Sequence, residues 1–309
     1  MRGALVVGVL LLLASCTSGT STSTTTGSPS LEAGRADIGG YSLAFQCEGS
    51  GSPTVILEAG YTASGIETFG ETIQPALAAT TRVCTYDRAG IGGSDARPAS
   101  VSPLTSVTQA RELHALLDAI GEQGPFVYVG HSYGGMIARA FAATYPDGTV
   151  GLVLLDASSE PEIPVYDRMH AGPWDDGTVQ PAPNQRIDIH ASVRELEHAP
   201  SLGAMPLIVV TAGVLDSDRW LEKVPMLEAR AQTRLASLSS NSIHVVDRGK
   251  GHFLPDNDPS LVVDATLAVI DAARSGGPLA PCRSVFSNSQ TAVCLPPGAL
   301  AHQVVPPSA

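Results

Sequence analysis

The stretch FVYVGHSYGGMIARAFAATYP, residues 126–146, places a serine where its hydroxyl could react. A short apolar run leads into Gly130-His131-Ser132-Tyr133-Gly134, and an Ala-rich helical pattern follows. A strand turning sharply into a helix pushes the Ser132 hydroxyl into the open, and the G-x-S-x-G spacing leaves room for that turn. The helix that begins after Ser132 aims N–H groups at developing negative charge, and the Tyr133 amide becomes one oxyanion donor. A serine hydroxyl is a poor nucleophile until a base takes its proton. His252, in GKGHFLPDNDP, lies after the last strand-like run and before the last helix-like one, where such a base belongs. The other histidines suit the role less well. His114 and His198 fall in helical or insertion contexts, His170 and His190 in the insertion, His244 inside a strand and His302 in the tail. His131 beside the nucleophile reads as a packing or hydrogen-bonding residue.

The base needs a carboxylate to orient it and to stabilise its charged form. Asp156 ends VGLVLLD directly after an apolar strand, and Asp216 and Asp218 follow the next such strand in GVLDSD. Both loops open at the same edge of a sheet, so both satisfy the chain order Ser, Asp, His. Asp156 is preferred because it follows its strand at once. Asp216 remains the alternative, although it could equally cap a helix before Trp220, and Asp218 comes third.

These side chains require a scaffold that brings several strand ends together. Strand-like runs at Tyr41–Gln46, Thr54–Leu57, Arg82–Tyr86, Phe126–Val129, Val150–Leu155, Pro206–Gly213 and Ile243–Asp247 alternate with helical patterns. In TSVTQARELHALLDAIG, Leu113, Leu116, Leu117 and Ile120 recur at helical spacing and stop at Gly121. Apolar strands separated by helices predict an α/β fold: a mainly parallel sheet covered on both faces. The opening strands lack helices between them and predict an antiparallel hairpin at the sheet edge. Residues 158–205 have weak periodicity and several prolines, and read as a small cap-like insertion over the strand ends. Residues 276–309, rich in Pro, Ser and Ala, read as an extended or disordered tail.

Three stretches together resemble the serine α/β-hydrolases, over roughly Ile38–Arg274: GHSYGG, CTYDRAGIGGSD and GKGHFLPDNDP. The second is similar to a loop of esterase, haloperoxidase-like and proline-iminopeptidase-like members. Asp87 and Arg88 within it are expected to pin that loop rather than to catalyse. Where many members carry His-Gly after the third strand, this chain has Glu58-Ala59-Gly60. The second oxyanion donor is a backbone amide, and by position it is assigned to Tyr61. The resemblance implies hydrolysis of small-molecule or lipid acyl esters through Ser132, His252 and an aspartate, with no metal or organic cofactor. A serine at the elbow argues against the dehalogenase and epoxide-hydrolase members, which use aspartate there. Perhydrolysis would use the same residues. An aminopeptidase would need acidic groups for the substrate's amine, and Glu160, Glu162, Asp175 and Asp176 are candidates, although the same residues read equally as solvated surface charges. Tyr166 and Trp174 read as pocket walls or as the insertion's own small core. A binding module on the same scaffold is the non-enzymatic alternative.

The remaining features bear on location. The chain has 309 residues, 43% hydrophobic, with a formal net charge of -12. That acidity gives no footprint for nucleic acid. Arg2, an apolar run from Ala4 to Ala14 and the exit sequence LASC read as a secretory signal over residues 1–15. LASC resembles the lipobox of bacterial lipoproteins, which implies lipidation of Cys16 and anchoring to an extracytoplasmic membrane surface. Residues 16–34, dominated by Ser and Thr, read as a flexible tether before a domain at 35–275. Cys47, Cys84, Cys282 and Cys294 make an even set that suggests two disulfides in an exported chain. Three pairings are open; proximity favours Cys47 with Cys84 and Cys282 with Cys294. No C-x-x-C pair exists to suggest a metal site.

Overall fold

The computed structural model describes Met1 and residues 31–98, 104–163, 178–179, 187–213 and 224–300. Among the described residues, nine strands form one sheet in the order β1-β2-β4-β3-β5-β6-β9-β10-β11. They are β1 (Glu32–Asp37), β2 (Ser42–Glu48), β3 (Thr54–Glu58), β4 (Val83–Tyr86), β5 (Phe126–His131), β6 (Thr149–Leu155), β9 (Leu207–Ala212), β10 (Ser242–Asp247) and β11 (Ala292–Cys294). Two-residue strands β7 (Thr178–Val179) and β8 (Ile187–Asp188) pair separately. From β4 to β10 every pairing is parallel, while β1, β2 and β11 are antiparallel to their neighbours.

Side-chain alternation along the central strands divides the core into two layers. Tyr128 of β5 and Leu152 and Leu154 of β6 face one way. There they pack with Leu113 of α3 (Ser106–Ala119), Phe141 of α4 (Tyr133–Thr144) and Val193 of α5 (Ile189–Glu197). Val127, Val129, Val153 and Leu155 face the other way, against Phe69 of α1 (Gly65–Phe69), Leu77 of α2 (Ile73–Ala78) and Val269 of α8 (Pro259–Ser275). Burial of both faces explains why these strands are continuously apolar. Helix α6 (Val224–Ala236) follows β9, and α7 (Leu254–Asn257) follows β10.

The structure corrects three expectations. The edge hairpin is β1 with β2, not two strands drawn from 41–57; β3 lies inside the sheet between β4 and β5. The stretch expected to be tether up to residue 34 therefore already contains strand from Glu32. The tail is also structured as far as residue 300: α9 (Cys282–Val285) is followed by β11, which adds to β10. Phe286 and Leu295 are buried and anchor the tail, each in a short apolar cluster within a Pro- and Ser-rich stretch that a compositional reading passes over. Within the expected insertion, α5 packs on α3, where Ser192 Oγ accepts a hydrogen bond from Ser106 N at 2.9 Å.

Both favoured disulfides are formed. Cys47 and Cys84 are direct partners on β2 and β4, 4.1 Å apart at Cα, and both are buried. Cys282 and Cys294 are partly exposed, 6.0 Å apart at Cα, and tie α9 to β11.

Candidate active site

The turn between β5 and α4 holds Ser132 at φ 53°, ψ −124°, a conformation strained for any residue with a side chain. Its surroundings impose that strain. Ser132 N donates to Leu155 O at 3.0 Å, and Ser132 O accepts from Gly135 N and Ser158 N, each at 3.0 Å. The flanking glycines are required by space. A Cβ on Gly130 would lie 2.7 Å from Gly134 O, and one on Gly134 would lie 2.4 Å from Ala59 O and 2.5 Å from Glu58 O.

Two further strand ends meet this corner. Asp156 follows β6 with φ 41°, its N–H bonded to Val210 O at 2.7 Å. One carboxylate oxygen accepts from Ala212 N at 3.0 Å, and the other lies 2.7 Å from His252 Nδ1. His252 Nε2 lies 3.0 Å from Ser132 Oγ. A carboxylate at Nδ1 selects the tautomer with its proton there, which leaves the Nε2 lone pair facing the serine hydroxyl. The structure thus brings Ser132, His252 and Asp156 into one line. Asp216, the alternative acid, lies outside the described residues, as do Asp218, Trp220, Tyr166, Trp174, Asp175, Asp176 and Cys16.

His131 has the structural role that its position suggested. It is buried and donates from Nε2 to the backbone carbonyl of His252 at 2.8 Å. Burial, and then the neighbouring His252, push its pKa down to about 4, so the ring is neutral at pH 7. His244 is likewise buried, pushed down to about 4, and bonded to Thr211 Oγ1 at 2.8 Å.

Tyr133 opens α4, so its amide belongs to the outward-pointing set at the helix start. Its buried side chain accepts a hydrogen bond from Gln109, and burial raises the phenol to about 12. Tyr61 follows Gly60, and its ring meets the Tyr133 ring edge-on at 6.5 Å. The Gly60 turn abuts the nucleophile, since a Cβ there would lie 3.3 Å from Ser132 Cβ.

Asp87 and Arg88 divide the pinning work. Asp87 accepts from Gly93 N at 2.9 Å and from Ser64 Oγ at 2.6 Å, tying its own loop to the start of α1. Arg88 reaches instead to Glu58, with Nη1 2.5 Å from Oε1, and to the carbonyls of Ala59 and Gly60. Burial pushes the Glu58 carboxyl up, while Arg88 and the Tyr86 hydroxyl pull it back. This buried network escaped sequence reasoning. Both ends are visible in the sequence, a carboxylate closing the apolar strand TVILE and Arg88 thirty residues later, but nothing there says that they meet.

Of the acidic groups considered for amine recognition, the two among the described residues, Glu160 and Glu162, are engaged within the protein. Glu160 pairs with Arg139 through both oxygens, at 2.6 and 2.7 Å, with both residues buried. Glu162 accepts from Ser159 N at 2.9 Å. Among the described residues, one group has metal-like spacing, Cys47, Cys84 and Glu122, and its cysteines are joined as a disulfide. No helix among the described residues is long and apolar enough to cross a membrane.

Residues 53–186 match the family described as the alpha/beta hydrolase fold. The chain is 25% identical to a protein of Hormonema carpetanum named "Probable transporter efuK", over 87% of this chain and 47% of that one, so it spans about half of that relative's length. It is 29% identical to YqjL of Bacillus subtilis, over 72% of this chain and 85% of YqjL. A thermophilic esterase of Thermogutta terrifontis superposes with a TM-score of 0.54 at 20% identity, over 78% of this chain and 99% of the esterase. Sheet order, strand-end site and these matches agree: this is a chain of the α/β-hydrolase fold.

Proposed function

We propose that the protein is a serine hydrolase that cleaves acyl ester bonds of small molecules or lipids. The observation that carries this reading is the run of contacts from Ser132 Oγ to His252 Nε2 at 3.0 Å and from His252 Nδ1 to Asp156 Oδ2 at 2.7 Å. Ser132 Oγ attacks the ester carbonyl while His252 Nε2 takes its proton. The carbonyl oxygen becomes an oxyanion held by the Tyr61 and Tyr133 amides. His252 returns the proton to the leaving alcohol as the C–O bond breaks, which leaves an acyl-enzyme. Water then attacks with His252 again as base, and the acid departs. Asp156 keeps the imidazole in its working tautomer and stabilises its charged form. The fold shared with an esterase supports the class of reaction. The engagement of Glu160 and Glu162 within the protein weighs against an aminopeptidase.

The test is turnover of p-nitrophenyl esters of graded acyl length, beside a prolyl anilide, by the full chain. Ester turnover that disappears in Ser132→Ala, with no prolyl cleavage, is expected. Prolyl cleavage would favour the aminopeptidase, and no turnover of either kind would favour a binding module.

The lipid anchor at Cys16, with export ahead of it, is part of the same proposal. Its support beyond the LASC sequence is the pair of disulfides in the folded domain, a bond type that persists in oxidising compartments. Cys16→Ser should release the protein from membranes, and continued membrane association would count against lipidation.

A further inference from the structure

We infer that Arg88 is a positioning residue for the oxyanion site, and that Glu58 exists to hold it there. This rests on the serine-hydrolase reading above. The Gly60 carbonyl and the Tyr61 amide belong to one planar trans peptide, so they point in opposite directions. Arg88 Nη2 donates to that carbonyl, while Nη1 donates to Ala59 O at 2.7 Å. Holding the carbonyl on the Arg88 side turns the Tyr61 N–H to the opposite side of the peptide. The turn itself lies against Ser132, as the Gly60 contact shows. The same guanidinium carbon lies 6.0 Å from the centre of the Tyr133 ring, so one side chain braces both residues assigned as donors. The rigid fork of an arginine suits this task, because one planar group meets two carbonyls and a carboxylate at once. Glu58 supplies the countercharge that lets the guanidinium stay buried, and the Tyr86 hydroxyl steadies Glu58 from behind.

The experiment measures kcat, KM and inhibition by an aryl trifluoromethyl ketone, whose serine adduct carries an oxyanion, for the full chain and Arg88→Gln. A bracing role in the transition state lowers kcat about 100-fold and weakens the ketone by a similar factor, while KM moves less than about threefold. Arg88→Lys, which keeps the charge but loses the fork, should recover only part of the loss. Wild-type kcat in Arg88→Gln, or a defect confined to KM with unchanged ketone inhibition, overturns the inference. Should Arg88→Gln not fold, Tyr86→Phe decides by the same criterion, with a loss in kcat of about tenfold expected and wild-type kcat contradicting it. A wild-type protein with no turnover and no reaction at Ser132 would sink the hydrolase reading instead.

Discussion

Ser132 and His252 are held in different ways. The nucleophile's strand, turn and helix come from consecutive residues, and its strained φ is enforced by close glycine contacts and by hydrogen bonds to the adjoining strand ends. The base has one local tie, Leu254 N on the His252 carbonyl at 2.9 Å, but its ring is set by distant groups. His252 meets Asp156 96 residues away, Ser132 120 residues away, and His131 through its own carbonyl. Its loop is bounded by Arg248 N on Thr291 O at 2.9 Å, and by Asp258, which caps α8 and accepts from Thr291 Oγ1 at 3.3 Å. The covalently clipped tail thus forms one wall of the base loop. A strained corner is built by packing, whereas a base on a loop is placed by tertiary contacts, so the second is expected to yield to remote changes.

The largest effect should come from the rigid side. Ser132→Ala removes the nucleophile and should lower kcat by about 10⁶-fold, with an unchanged melting temperature, as read by ester turnover and circular dichroism. Next comes the link between the two sides. Asp156→Asn keeps the shape but permits the wrong histidine tautomer, and about a 10⁴-fold loss in kcat is expected. Acid should then loosen the scaffold beneath both. His131 and His244 titrate at about 4 in the fold against 6.5 when unfolded, so the unfolded chain binds more protons between those values. Their stability contribution is complete above about pH 6.5 and falls toward pH 4, by about 3 kcal/mol for each. Urea unfolding at pH 7.5 and 4.5 measures this, and His244→Gln should flatten the dependence. The smallest effect on turnover should come from the tail. Cys282→Ser with Cys294→Ser should cost about 2–3 kcal/mol of stability and only a few-fold in kcat. An unchanged kcat would mean that the tail does not support the base loop.

Legibility in the sequence followed the same division. Ser132, the parallel strands and α3 could be read because their signals lie within short windows: glycine spacing, apolar runs and helical periodicity. His252 could be placed only by its position after the last strand. Asp156 could be preferred to Asp216 because it follows its strand at once, but Asp216 stayed open as the alternative, since both follow strands that open on one sheet edge. The Glu58–Arg88 network was out of reach, since nothing in either local window says that the two side chains meet. β11 was missed for a related reason: a three-residue strand has no periodicity, and its pairing with β10 is a tertiary fact.

The measurement that bears most directly on the central claim is fluorophosphonate labelling of the full chain, mapped by peptide mass spectrometry, beside Asp156→Asn and Asp216→Asn. A single label on Ser132 is expected, slowed strongly in Asp156→Asn and unaffected in Asp216→Asn. Labelling of a different residue, or a wild-type labelling rate in Asp156→Asn, would contradict it.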